Sequence, residues 1–299
     1  MKSSFNAGKL VLKSELPWTP TEMWVRVIIY YVVMATFLFL LQLGIGSIIF
    51  SIPEISIENK ENILYSITGI LGFIVTVAFL KFDDSRPLRQ IGLFLPDRPL
   101  LILIVSVTIT PFALLFGFVI EHLSGIINFS QMFQNFISDP ITLTLLALFT
   151  VLGIGAGEEI MFRGYIQRVL ESNLGFWTAG IISSLMFGFL HIFLLITRTT
   201  DTLFAMIAVG ASATIFGLMF VYAYQRTGRN LLFPILIHGI WDVVIFIFNT
   251  EFVYDKAEKV VLEIVSQAVA AVVLIILIYL YTEYFPPLTR RLAGWHEQR

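Results

Sequence analysis

Two adjacent carboxylates and an arginine, Glu158, Glu159 and Arg163, close the apolar run TLTLLALFTVLGIGAG in a chain that otherwise keeps charge out of its hydrophobic segments. On translocon-type scales an Asp, Glu or Arg at mid-bilayer costs about 2.5 to 3.5 kcal/mol, so residues kept there mark function. On a helix Glu159 and Arg163, four apart, share a face in an orientation that favours an ion pair. Glu158 then points about 100° away and is the carboxylate without an intrahelical partner. Two further apolar runs carry a histidine each: FGFLH sets Phe187 and His191 one turn apart, and HGIWD does the same for His238 and Asp242. Buried ionisable groups face the bundle interior and one another, so Glu158, His191 and His238 are expected at one polar site.

A carboxylate with two imidazoles in an apolar wall is the inventory of a general base that activates water, with rings to orient it and stabilise an oxyanion. The same groups could equally hold a divalent zinc or iron, and the residues alone leave both readings open. No HExxH, GxSxG, Walker or Rossmann pattern is present. The serines Ser183 and Ser184 and the glycines of GIGAG read as helix-packing residues. With no cysteine in the chain, disulfides, thiolate metal sites and a Cys nucleophile are excluded.

The elements that must position these residues are membrane spans. Of the 299 residues, 57% are hydrophobic and 13% charged, with a mean hydropathy of +0.86, which is not the composition of a soluble globular protein. Eight apolar runs are long enough to cross a bilayer: about 27–51, 62–80, 99–120, 141–160, 176–196, 203–224, 231–249 and 260–281. The fold expected is all-α, a polytopic transmembrane bundle. Its parts are an N-terminal extension (1–26, with the first run read as a retained signal anchor), accessory spans (27–140), a core (141–249), and a last span with its tail (250–299). Pro111 falls inside the third run and is expected to kink it. LPDRP, Leu95 to Pro99, reads as a stiff turn, and WHEQR with His296 as an interfacial anchor. Eight spans put both termini on one side. Fifteen of the nineteen basic residues fall on that side, with Lys60, Arg198, Lys256 and Lys259 opposite, which makes it cytoplasmic. The chain is expected in the plasma membrane with no nucleic-acid partner, and the net charge of −2 is uninformative by itself, since what matters in a membrane protein is where the basic residues lie.

EExxxR at Glu158, Glu159 and Arg163, FxxxH at Phe187 and His191, and HxxxD at His238 and Asp242 together resemble the CAAX protease and bacteriocin-processing family (CPBP or Abi) of intramembrane endopeptidases, among them the type II CAAX prenyl endopeptidases. The resemblance covers about 141 to 249. It implies that Glu158 is the general base, that His191 helps hold the attacking water, and that His238 with residue 242 stabilises the oxyanion. It also implies that Glu159, Arg163 and Phe187 support them. The family has been described both as metal-dependent and as needing only the glutamate and water, so no cofactor is assigned and zinc stays open. An Asn at 242 could donate to an oxyanion, whereas an ionised Asp can only accept, so the role of Asp242 is left open.

The substrate implied is a membrane-associated peptide or lipidated protein, of the CAAX-prenyl or the bacteriocin and signal-peptide type. The alternatives are a non-catalytic immunity or scaffold protein of the same fold and, ranked last, a transporter, for which no inverted repeat is visible. Depth poses a problem. Glu158 at the end of its run and His238 about 10 Å into its own sit shallow, while His191 lies about 24 Å along its helix from Gly175. The fifth helix is therefore expected to tilt or start below the interface, around a cavity open to the cytoplasm.

Overall fold

The computed structural model describes residues 18–53, 57–82, 91–96, 98–130, 140–195, 203–248 and 257–284. Within them the chain is all-α and forms a polytopic bundle of eight long helical segments: α1 (Pro20–Phe50), α2 (Ile57–Phe82), α3 (Pro99–Leu123), α4 (140–174), α5 (Phe176–Leu195), α6 (Leu203–Arg226), α7 (Leu232–Phe248) and α8 (Ala257–Tyr284). Six contain helices long and apolar enough to cross a membrane, and two hold the shorter apolar helices Ile67–Lys81 and Leu232–Phe248. The protein is an integral membrane protein. His296, residues 1–17 and residues from 285 on lie outside the described residues, as do Arg86, Arg89, Asp97 and Arg198.

Local chemistry explains where the helices begin. α1 starts at Pro20, seven residues before the apolar run, because Thr19 and Glu22 form a capping box. The Glu22 carboxylate accepts from the Thr19 N–H at 2.7 Å and the Thr19 hydroxyl accepts from the Glu22 N–H at 3.3 Å. α3 starts at Pro99, whose fixed φ suits the first helical position, and continues through Pro111.

α4 is the central element and the principal departure from the sequence reading. It does not stop at the charged residues but runs on for about four more turns as Ala156–Glu159, Ile160–Gln167 and Arg168–Leu174, before Gly175 (φ +74°) turns the chain into α5. Two stretches, Thr150–Gly155 and Ile160–Gln167, are π-helical and flank the Glu158–Glu159 pair. Such widened turns commonly accompany functional sites, where they re-aim side chains.

Glycines let neighbouring helices reach α4. A Cβ at Gly155 would stand 2.8 Å from the Ile235 carbonyl of α7, and one at Gly239 would stand 2.6 Å from the Val151 Cα. On the opposite flank Gly69 of α2 meets Gly153 and Gly157 backbone to backbone. Close approach of small residues is how helices associate where lipid supplies no hydrophobic drive. One core cluster joins α1, α2, α4 and α5 around Tyr30, Tyr165 and Phe187, and a second joins α3, α6, α7 and α8 around Trp241 and Phe220.

Candidate active site

Continuation of α4 removes the depth mismatch without any special tilt. Counted from the Gly175 turn, Glu158 lies seventeen residues back along α4 and His191 sixteen residues forward along α5, about 25 Å and 24 Å respectively. The short α7 completes the alignment. Leu231 packs beside Gly164, so His238, seven residues on, rises about 10 Å to the level of Glu158. It is thus α7, not α5, that starts deep. Its entry is held by the Leu231 N–H donating to the Gly92 carbonyl at 2.9 Å and the Asn230 amide to the Phe94 carbonyl at 2.8 Å.

The adjacent glutamates straddle His238. Glu159 Oε1 accepts from His238 Nδ1 at 2.9 Å and from Arg163 Nη1 at 2.8 Å. Glu158 Oε2 stands 3.6 Å from His238 Nε2, and Asp242 Oδ2 stands 3.5 Å from the same nitrogen. A carboxylate only accepts, so Nδ1 carries the hydrogen on its side, and Nε2 faces Glu158 and Asp242 across gaps too long for direct hydrogen bonds. A water bonded to these groups would sit beside them, on the cavity side. Oε2 of Glu158 has no hydrogen-bond partner among the described residues.

Arg163 is fully buried, as is Glu159. Its Nη2 donates to the Gly217 carbonyl of α6 at 2.9 Å, and its guanidinium lies over the rings of Phe187 and Phe220 at 5.0 and 5.3 Å. Its inclusion among the basic residues of the cytoplasmic side is therefore corrected: it is an internal counter-charge, and the remaining fourteen carry that argument. Phe220 stacks on His238 (4.6 Å, 18°), while Phe187 stands edge-on to His238 at 6.0 Å and to His191 at 4.5 Å. His191 Nδ1 bonds the Phe187 carbonyl at 2.9 Å, which leaves Nε2 as the ring's acceptor.

Glu158, His191, His238 and Asp242 line one cavity of about 280 Å³. Residues 140–244 match the family model for Rce1-like type II CAAX prenyl endopeptidases. No curated protein matches the chain. The Rce1-like stretch runs from the first residue of α4 to two residues beyond Asp242, so all seven of the residues singled out in the sequence fall inside it, while α1 to α3 and α8 lie outside. It supports a peptidase on a membrane-spanning scaffold. Among the described residues no three His, Asp or Glu side chains come together as a metal site, so they show no donor set that fits zinc or iron.

The cavity extends away from the Gly175 turn. From the level of Glu158 its wall is built by Gln42, Thr68, Ser212, Phe246 and Glu263, all on the halves of their helices remote from Gly175. The Gly175 end is packed shut by Ile166, Val169, Leu170 and Leu231, with Arg168 and Arg229 both bonded to Glu171 at 3.0 and 2.8 Å. Three lining residues escaped the sequence reading: Trp241, whose indole N–H has no partner among the described residues, and Glu263 with Gln267 on α8.

Proposed function

We propose that the protein is an intramembrane endopeptidase that hydrolyses a peptide bond of a membrane-associated peptide or lipidated protein with water activated by Glu158. The observation that carries this is Glu158 Oε2, without a hydrogen-bond partner among the described residues, set 3.6 Å from His238 Nε2 on a cavity that His191 also lines.

Glu158 takes a proton from water as the water oxygen bonds to the scissile carbonyl carbon. His191, anchored through Nδ1, accepts the water's other hydrogen at Nε2 and fixes the attack direction. His238 is held by Glu159 so that Nε2 points at the reaction, where a proton on that nitrogen donates to the developing oxyanion. When the tetrahedral intermediate collapses, the C–N bond breaks and Glu158 returns its proton to the leaving amine. Orientation of His238 thus falls to Glu159, which is ion-paired to Arg163, and not to Asp242. The last lies within reach of Nε2 and the attacking water and is assigned to holding that water. The water supplies the nucleophile in this scheme, and no step is routed through a metal.

The decisive experiment is cleavage of a fluorogenic farnesylated CAAX peptide by detergent-purified protein, wild type beside Glu158→Ala, each with and without a chelator. Cleavage by wild type that is lost in Glu158→Ala and indifferent to chelator is the expected result. Full activity in Glu158→Ala overturns the mechanism, and chelator-sensitive cleavage reassigns the histidines and Asp242 as metal ligands. The distribution of fourteen basic residues supports cytoplasmic termini, and the plasma membrane is the proposed location.

A further inference from the structure

A second buried polar cluster lies on α3 and α8, outside the Rce1-like stretch. Glu121 of α3 is 1% exposed, and Glu263 and Gln267 of α8 are 4% and 5% exposed. The Ser266 hydroxyl donates to Glu121, and Gln267 Nε2 donates to Glu263 Oε1 at 2.9 Å. Ser266 also donates to the Glu263 backbone carbonyl at 2.9 Å, and the second carboxyl oxygen of each glutamate is buried with no hydrogen-bond partner among the described residues. Two carboxyls buried side by side repel each other when both are ionised, which favours a single negative charge on the pair.

Two features separate this cluster from a simple cross-link between helices. Apolar residues of similar volume would join α3 to α8 at no loss of stability, so buried carboxyls retained in a membrane span point to a ligand. Furthermore, the carboxamide oxygen of Gln267 is a buried acceptor without a partner among the described residues, and Gln267 and Glu263 both form wall of the cavity that holds Glu158 and His238. The cavity's charge is one-sided. Three carboxyl side chains line it, those of Glu158, Asp242 and Glu263, and no lysine or arginine does among the described residues.

We propose that Glu263, backed by Glu121 and Gln267, is the subsite for a positively charged group of the peptide substrate, either a lysine or arginine side chain or a terminal ammonium. An ammonium fills the vacant acceptor of Gln267 and meets the negative charge of the carboxyl pair in a medium of low dielectric, where that attraction is strong. The identity of the occupant as substrate rests on the hydrolase reading, but its charge does not.

The test uses full-length protein in nanodiscs and three fluorescently labelled, leucine-rich peptides with amidated C-termini. One is N-acetylated with a central lysine, one is N-acetylated with norleucine at that position, and one has norleucine and a free N-terminus. Fluorescence anisotropy reports binding, and product analysis on the same samples reports cleavage. The expected result is that wild type binds at least one of the two cationic peptides roughly tenfold more tightly than the neutral peptide, with the preferred one identifying side chain or terminus. In Glu263→Gln, which keeps the size and hydrogen-bonding capacity of the side chain, the preference collapses to within about twofold. Glu121→Gln removes the same charge from the other helix and serves if Glu263→Gln fails to elute as a monodisperse species. Equal binding of all three peptides by wild type, or a preference that survives both substitutions, overturns the proposal. A preference of the expected kind without cleavage of any peptide upholds the subsite and counts against hydrolysis instead.

Discussion

At the scale of single residues, the two glutamates sit next to each other and do different things. Glu158 ends in an oxygen with no hydrogen-bond partner among the described residues, while Glu159 Oε1 ties Arg163 to His238. Their alanine variants should therefore fail differently. Glu158→Ala should lose about 10²- to 10⁴-fold in turnover, the usual contribution of a general base, with its thermal unfolding in detergent close to wild type. Glu159→Ala strands Arg163 in a fully buried setting and should cost about 3 to 5 kcal/mol of stability, read as a lowered Tm together with lost activity. An unchanged Tm for Glu159→Ala would show that Arg163 finds other company. Asp242→Asn keeps the shape of the side chain and adds a donor, and since Glu159 already orients His238, activity within about tenfold of wild type is expected. A loss beyond a hundredfold would tie the reaction to the carboxylate at 242, and metal titration of the two forms would then be the informative comparison.

At the scale of elements, the geometry depends on α4 and α7 crossing in near backbone contact. Val151, Gly155 and Gly239 meet within one turn of Glu158, His238 and Asp242, so the crossing sets the distances between the catalytic side chains. Gly239→Leu should force the helices apart, cost about 1 to 3 kcal/mol through overpacking, and reduce turnover far more than that loss of stability would suggest. A variant that loses stability but keeps turnover would place the reacting groups elsewhere. The crossing was readable in advance from the glycines of GIGAG. The course of α4 was not, because Glu158, Glu159 and Arg163 look like the polar exit of a span. A signal was present in the apolar residues Ile160, Met161, Phe162, Tyr165, Ile166, Val169 and Leu170, which continue a buried face beyond the charges. Glu121 and Glu263 were missed for a related reason: each stands at the edge of its apolar run, where a charge ordinarily faces water, and only the packing of α3 on α8 reveals them as buried neighbours.

For the whole molecule, the eight apolar runs correctly marked the helical segments, since span length and hydropathy are dictated by the bilayer itself. Which end of the bundle the cavity reaches depended on packing and could not be read from hydropathy. The sealed Gly175 end and the lining by Gln42, Thr68 and Glu263 make orientation a question about substrate supply. With both termini in the cytoplasm, the cavity draws on peptide in the outer half of the bilayer; with the reverse orientation, it draws on cytoplasmic lipidated proteins. The absence of any cysteine makes this directly measurable, since each introduced thiol is labelled without background. A membrane-impermeant maleimide added to intact cells should modify Gln42→Cys, on the cavity wall, and should reach Ser3→Cys only after permeabilisation. Labelling of Ser3→Cys in intact cells would reverse the assignment made from the basic residues and direct the search for substrates to the cytoplasmic leaflet.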